Sequence, residues 1–292
     1  MSRLLRWRSR VRHQPSFAPL RLLLGLSFVL GAIALASAAA ELLPTRLKGA
    51  APLCLAAAAL VGYALFVRIV EQRPVVELVS PRWPQEALAG LAIGCGLFAL
   101  VMLVLVVLGN YSVAGVNGIA VVGPALALSI SAGVTEELAI RAVVFRILEG
   151  WLGSWWALAI SAALFGVLHI ANPNATIVSA AAVAIEAGIL LGAAYMITRR
   201  VWLAIGIHIA WNFTQSGIFG VATSGIELAG YLDGRLHGHP LVSGGSFGPE
   251  ASVVAVVVCV GAGVAMIRVA IARGHLVPPS WSVARQRTEP LQ

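Results

Sequence analysis

Charged residues are scarce in this chain. Only 11% of its 292 residues are charged and 59% are hydrophobic, whereas a typical soluble domain has about 25% charged and about 45–50% apolar residues. So few polar side chains cannot cover a water-facing surface of this size. The composition therefore excludes a soluble globular protein, a disordered chain and a coiled coil. It indicates a polytopic membrane protein whose apolar surface faces lipid.

Cysteine is scarce as well. Cys54, Cys95 and Cys259 lie in three separate apolar runs, and no Cys-x-x-Cys spacing occurs. This pattern argues against a disulfide framework and against a thiolate metal site. We expect the three cysteines to be small buried hydrophobic residues.

Acidic residues are fewer than basic ones, 12 against 20, and the formal net charge is +8. Many basic residues lie in the two tails and in short loops: Arg3, Arg6, Arg8, Arg10, Arg12, Arg68, Arg73, Arg82, Arg199, Arg200, Arg268, Arg273, Arg285 and Arg287. Basic segments of membrane proteins stay on the cytoplasmic side, where they contact anionic lipid. The sequence has no nucleic-acid-binding module, so we expect membrane lipid and not nucleic acid as a partner.

Long apolar runs fill most of the chain. A hydrocarbon core about 30 Å thick needs about 20 apolar residues per helix, and such runs occur near 21–43, 50–70, 87–108, 119–148, 153–171, 176–198, 201–220 and 250–270. We predict an all-α, multi-pass cell-membrane protein with about eight transmembrane helices. An even number places the N- and C-termini on one side, and the basic tails make that side the cytoplasm. The first run imitates a secretory signal but is longer, so we favour an uncleaved helix.

Ionisable residues within the apolar runs cluster between positions 136 and 212. They are costly in a membrane, so each is a functional candidate. Glu137 and Arg141 are four residues apart and share a helix face, which predicts an ion pair. Glu136 points about 100° away, so we expect it to face a cavity and to serve as a general base. The structural alternative is an acidic cluster that anchors the helix end at the membrane surface.

Two histidines follow in later runs. Phe165 and His169 share a helix face, so the phenyl ring can wall a site and fix the imidazole. His208 and Asn212 also share a face, and both side chains can donate hydrogen bonds to a developing oxyanion. The structural alternative for His169 is a core histidine with satisfied hydrogen bonds, and for His208 and Asn212 it is hydrogen bonding between membrane helices. Polar stripes on three helices nevertheless favour one shared interior site, and depth counted along the helices predicts that it opens toward the cytoplasm.

These motifs resemble those of a known family. The order Glu-Glu-x-x-x-Arg (136–141), Phe-x-x-x-His (165–169) and His-x-x-x-Asn (208–212) is similar to that of the CPBP family, also called the Abi family, of CAAX prenyl proteases and bacteriocin-processing enzymes. The run from Gly188 through Arg199 and Arg200 to His208 resembles the segment that leads into the last motif. The resemblance covers about 120–220, and the ordered set of three motifs is more specific than any one of them.

The resemblance implies an intramembrane endopeptidase that hydrolyses a peptide bond in a membrane-associated protein or peptide. By the family pattern, Glu136 activates water with help from His169, His208 and Asn212 hold the oxyanion, and Glu137 and Arg141 fill the remaining positions. The family is usually labelled metallo. Glu136, His169 and His208 could supply the three protein ligands of a zinc site, but a metal-free glutamate mechanism needs the same residues, so both stay open.

Other functions stay open beside the protease. A non-catalytic membrane scaffold or a bacteriocin-immunity factor could keep the fold. A proton-coupled transporter also uses intramembrane glutamate and histidine, but the sequence has no repeat symmetry and no matched pair of broken helices. Outside the motifs, Glu186 is expected to pair with Arg146 or to line the cavity. We interpret His237 and His239 as surface residues.

The segments are therefore predicted as follows: a basic cytoplasmic tail at 1–20, N-terminal transmembrane helices at 21–118, a CPBP-like catalytic transmembrane core at 119–220, an extracytoplasmic loop at 221–249, a last transmembrane helix at 250–272 and a cytoplasmic tail at 273–292. The uncharged loop 109–118 is also expected outside.

Overall fold

A computed structural model describes residues 17–282 of the chain. The outer parts of both predicted basic tails, 1–16 and 283–292, lie outside the described residues. The helices and strands are, in chain order, α1 (Ala18–Glu41), α2 (Thr45–Glu71), α3 (Trp83–Val107), β1 (Tyr111–Val116), α4 (Ile119–Leu152), α5 (Ser154–Ala171), α6 (Ile177–Thr198), α7 (Trp202–Asn212, continued by Phe213–Ile218), β2 (Leu232–Leu236), α8 (Pro240–Ser243) and α9 (Val253–Ala272).

Seven of the described helices, α1 to α6 and α9, are long and apolar enough to cross a membrane. The helix α7 has 11 residues and its continuation has 6, so together they fall short of the 18 residues that the other seven reach. The prediction of a mostly helical, multi-pass membrane protein is confirmed. The count of eight spans and the side of the termini stay predictions.

Four stretches of the long helices have the wider π-helical turn, in which the backbone bonds to the fifth residue along. They are Phe66–Glu71, Leu138–Phe145, Ala184–Gly188 and Phe213–Ile218. Short π-helical turns are often found at functional sites. Here they hold or adjoin Glu137, Arg141, Glu186 and Asn212, so a regular 3.6-residue period does not describe the helices at these residues.

Beside its helices, the described part of the chain has one short two-stranded sheet. Strand β1, in the segment predicted as the loop 109–118, pairs antiparallel with β2 from the predicted loop 221–249. Neither strand shows the alternation of apolar and polar residues that marks a half-buried strand, so the sequence pattern gave no signal for them. The pair ties two distant loops together on one side of the molecule.

Loop contacts define two opposite faces of the helix assembly. On the terminal face, which comprises 72–82, 199–201 and 273–282, Val201 N donates to Glu77 O at 3.3 Å and Ser154 N donates to Val277 O at 2.9 Å. On the sheet face, which comprises 108–118, 172–176 and 219–252, Asn117 N donates to Tyr231 O at 2.7 Å. Successive helices run between these two faces.

Ion pairs concentrate on the terminal face. Glu71 is buried and contacts Arg21, Arg73 and Arg146, and Arg146 also approaches Glu77 at 3.6 Å. Further pairs join Arg199 to Glu149 and Arg200 to Glu86. The alternative that Arg146 pairs with Glu186 is therefore wrong. The Arg146 guanidinium pairs instead with Glu71 at the end of α2 and with Glu77 just beyond it.

Helices α3 and α7 touch through their backbones. A side chain at Gly90 would begin 2.4 Å from Leu203 O, one at Gly94 would begin 2.3 Å from Ile207 O, and one at Gly206 would begin 2.4 Å from Ala87 O. Small residues four apart let membrane helices approach this closely. This contact fixes the position of α7, which carries His208.

The three cysteines are free. Cys259 is buried, whereas Cys54 and Cys95 are exposed on the helix surface. The expectation that all three are buried is wrong for these two, since an apolar run in a membrane protein can face lipid as well as the interior.

Candidate active site

The predicted pair of Glu137 and Arg141 is confirmed. Arg141 Nη1 donates to Glu137 Oε1 at 2.9 Å, and neither side chain is exposed. Arg141 Nη2 also donates to Ala187 O at 3.2 Å. A buried guanidinium needs such partners, because a charge left alone in an apolar interior is very costly.

His208 shares the same carboxylate oxygen. Its Nδ1 lies 3.0 Å from Glu137 Oε1, a bond between α7 and α4 that helix spacing within one sequence motif cannot reveal. Because the carboxylate accepts, Nδ1 carries the hydrogen and Nε2 points away from Glu137. Nε2 lies 3.9 Å from Glu136 Oε2, so Glu137 orients this imidazole toward the second acid.

His169 is held in a similar way. Its Nδ1 lies 2.8 Å from the carbonyl oxygen of Phe165, and the two rings are 4.7 Å apart. A carbonyl oxygen can only accept, so Nδ1 donates and the neutral imidazole has its free lone pair on Nε2. The predicted contact between Phe165 and His169 is therefore confirmed. The phenyl ring also contacts the Arg141 guanidinium at 4.5 Å and lies 6.0 Å from the His208 ring.

One cavity of about 200 Å³ is lined by Glu136, His169, His208 and Asn212 together. Glu136 comes from α4, His169 from α5, and the other two from α7. The prediction that Glu136 faces a cavity is confirmed, and its Oε2 has no hydrogen-bond partner among the described residues. Glu137 and Arg141 lie behind this wall and do not line the cavity.

A second cavity of about 340 Å³ adjoins the first and shares Glu136, His169 and Asn172 with it. Apart from Thr135, the rest of the lining is apolar and includes Leu30 of α1 and Leu168 of α5, which are both more than half exposed. In a multi-pass membrane protein such exposed leucines face lipid. Glu136 therefore borders two cavities, one between α1 and α5 and one beside the loop residues 223–228.

The site lies on the sheet face and not on the terminal face. His169 begins the short 3-10 turn that ends α5, and the cavity wall includes Thr223, Ser224, Ile226 and Leu228 from the segment predicted as an extracytoplasmic loop. The side of the termini and the side on which the site opens both stay predictions. Residues 223–228 fold back against the cavity, which a depth counted along the helices does not take into account.

Two further buried acids, Glu186 and Glu250, lie close to the candidate site. Glu186 and Glu250 line a small cavity of about 30 Å³ with His169, His208 and Asn212. Glu186 lines this small cavity and not the two larger ones that Glu136 lines. Burial raises the pKa of Glu250 to about 7, although hydrogen bonds from Gln215 and Ser224 oppose the rise. Sequence reasoning missed Glu250, whose only signal was an acid next to an apolar run. The exposed His237 and His239 are surface residues, as interpreted.

Comparison with known proteins gives one match. Residues 118–214 match the Rce1-like family, type II CAAX prenyl endopeptidases. The resemblance inferred from the three motifs is thereby confirmed. No curated protein and no solved structure matches the chain.

The Rce1-like match spans α4 to α7 and so includes every motif residue, from Glu136 to Asn212. It excludes α1 to α3, the sheet-face segment 219–252 and α9. The chain is thus a multi-pass membrane protein, and its stretch 118–214 is similar to a protease family. Thr223, Ser224 and Glu250 lie beyond the matched stretch, and their place at the cavity is known from the structure alone.

The family resemblance implies a metal, and the candidate donor atoms belong to three side chains. Glu136, His169 and His208 have the right chemistry for zinc. However, no group of three His, Cys, Asp or Glu side chains in residues 17–282 is gathered closely enough to hold a metal ion. The residues as arranged do not fit a zinc site, and the zinc requirement stays a prediction.

Proposed function

We propose that the protein is an intramembrane endopeptidase that hydrolyses a peptide bond in a membrane-associated protein or peptide. The observation that carries this proposal is the shared cavity, where one carboxylate, two imidazoles and one carboxamide from three helices meet. Acid–base and hydrogen-bonding groups converging on one cavity are what hydrolysis of an amide requires. The match of the core to a protease family supports the same function.

The proposed roles follow from the hydrogen bonds already made. Glu136 keeps an unpartnered oxygen in the cavity, so it can take a proton from a water molecule as that water attacks the carbonyl carbon. His169, with Nε2 free, can hold the same water. His208 and Asn212 stabilise the tetrahedral oxyanion. Asn212 donates a hydrogen bond to it from its side-chain amide, and a doubly protonated His208 donates one from Nε2.

The membrane location supports the substrate class. The apolar cavity beside Leu30 and Leu168 gives a peptide in the lipid phase a lateral way to Glu136. We propose that the terminal face is cytoplasmic. Its loops contain the basic residues Arg73, Arg82, Arg199 and Arg200, and basic loops of membrane proteins favour the cytoplasmic side. The site then opens on the opposite side of the cell membrane.

The test is cleavage by the purified full chain in detergent or proteoliposomes. Two fluorogenic peptides serve as probes, one with a prenylated cysteine near its C-terminus and the same peptide without the prenyl group, and mass spectrometry identifies the products. Removing a general base costs about 10²–10⁴-fold in rate, so Glu136→Gln should lose at least about 100-fold. His208→Ala should lose a similar factor, because one oxyanion donor contributes about 10²–10³-fold.

The matched control is Glu41→Gln, which makes the same substitution at an acid whose side chain is 80% exposed, and it should keep the wild-type rate. Cleavage that both site variants retain would overturn the proposal. Absence of cleavage of either peptide, with all variants folded, would instead favour a non-catalytic scaffold.

A further inference from the structure

Glu250 is a buried acid that the proposed hydrolysis does not use. Its side chain is only 3% exposed, and its two oxygens accept hydrogen bonds from Ser224 N and from Gln215 Nε2. Gln215, itself fully buried, also donates to Ala222 O at 2.6 Å. Glu250 and Gln215 therefore connect the start of α9 and the end of α7 to the segment 222–225.

The segment 222–225 needs such connections to keep its shape. Ser224 has φ +49° and Gly225 has φ +79°, so two successive residues are left-handed, a conformation that costs energy for serine. Gly225 N donates to Phe247 O at 2.7 Å, and a side chain at Gly225 would overlap Pro173 O. Neighbouring groups, and not local preference, hold this backbone in place.

The same segment forms part of the candidate catalytic cavity. Thr223 and Ser224 line it opposite Glu136 and His169. Thr223 Oγ1 is buried and has no hydrogen-bond partner among residues 17–282. A buried hydroxyl without a partner is unusual in proteins, and a bound peptide would satisfy it.

We propose that Glu250 is a positioning residue that holds the segment 222–225 against α7, so that the Thr223 hydroxyl hydrogen-bonds the backbone of the bound peptide. The proposal rests on the proposed peptidase function for its substrate, and on the hydrogen bonds above for its geometry. It assigns substrate binding to a segment outside the part of the chain that matches the protease family.

The geometry is tested without any activity. Ser224→Cys is placed in a chain with Cys54→Ala and Cys95→Ala, and its reaction rate with a water-soluble maleimide is measured with and without Glu250→Gln. An amide at position 250 replaces one acceptor by a donor, so one of the two bonds must break. We expect labelling to become several-fold faster, and Glu227→Gln, which alters an exposed acid of the same loop, to leave it unchanged. An unchanged labelling rate in Glu250→Gln would overturn the proposal that Glu250 holds the segment 222–225 in place.

The substrate contact is tested by kinetics. Loss of one hydrogen bond weakens binding about five- to tenfold, so Thr223→Val and Glu250→Gln should each raise KM by about that factor and leave kcat within about twofold. A fall in kcat at constant KM, or an unchanged KM in Thr223→Val, would overturn the proposal even if Glu250→Gln does not fold. If the wild type cleaves no peptide, the proposed peptidase function is wrong. The maleimide labelling rates still show whether Glu250 holds the segment 222–225.

Discussion

A single oxygen atom of Glu137 accepts hydrogen bonds from two partners, Arg141 on its own helix and His208 on α7. The pair within α4 could be predicted because residues four apart share a helix face. The bond to His208 could not be predicted, because it depends on how α4 and α7 cross. The motif spacing thus identified the residues of the site but not which of them orients another.

At Glu137 the expected effect of substitution is on stability. Glu137→Gln leaves the buried Arg141 without its carboxylate, and breaking a buried ion pair costs about 3–5 kcal/mol. We expect a clearly lower thermal unfolding midpoint in detergent, with Glu41→Gln unchanged because that acid is exposed. A midpoint equal to that of the wild type would show that Arg141 is neutralised by another group.

Glu250 should make stability depend on pH. Its ordinary pKa is 4.5 and its pKa in the folded protein is about 7, so the folded state binds more protons between these values. The stabilising effect of the neutral form is complete below about pH 4.5 and is lost as the pH rises to about 7. The loss is on the order of 3 kcal/mol at about 1.4 kcal/mol per pH unit.

Unfolding midpoints of the wild type and of Glu250→Gln, measured from pH 4.5 to pH 8, check this dependence. The difference between the two proteins should change over that interval in the sense that the wild type loses stability relative to the variant. A difference that is constant with pH would contradict the assigned pKa.

Among the elements, α7 is the one whose position decides the site. It is too short for the length that the other candidate spans reach, yet it carries His208 and Asn212. The sequence predicted it as an apolar run but gave no reason for its placement. Gly90, Gly94 and Gly206 provide that reason, because their missing side chains let α3 and α7 touch.

A larger side chain at this contact should disturb both stability and catalysis. In Gly94→Val the Cβ atom would lie 2.3 Å from Ile207 O. Because this distance is too short, α7 must move, and His208, which follows Ile207, moves with it. We expect a lower unfolding midpoint and at least a tenfold lower cleavage rate, since small misplacements of reacting groups cost about 10²-fold.

Gly96→Val is the matched control, because nothing lies within 4 Å of a side chain at that position. It should retain the wild-type midpoint and rate. Equal effects of the two substitutions would show that the helix itself, and not its contact with α7, is sensitive to valine.

On the scale of the whole molecule, composition was enough to predict a multi-pass membrane protein, and three motifs were enough to predict its protease-like core. The side on which the site opens was not predictable from runs and charges. Residues 219–228 contain no long apolar stretch and no motif, yet Thr223 and Ser224 close the cavity. Only the fold shows that the loop after α7 turns back to the candidate catalytic residues.

The two faces can be assigned by labelling in intact host cells. With Cys54→Ala and Cys95→Ala as background, Ser246→Cys on the sheet face and Val79→Cys on the terminal face are both exposed positions. A membrane-impermeant maleimide should label position 246 directly and position 79 only after permeabilisation. The reverse pattern would place the termini outside and the site toward the cytoplasm.

The central claim is that Glu136 activates the water that cleaves a peptide bond, and oxygen-18 water tests it most directly. Cleavage by the wild type should place one labelled oxygen in the newly formed carboxyl group of the product, and Glu136→Gln should reduce the yield of that labelled product at least about 100-fold. Labelled product formed by Glu136→Gln at the wild-type rate would contradict the account.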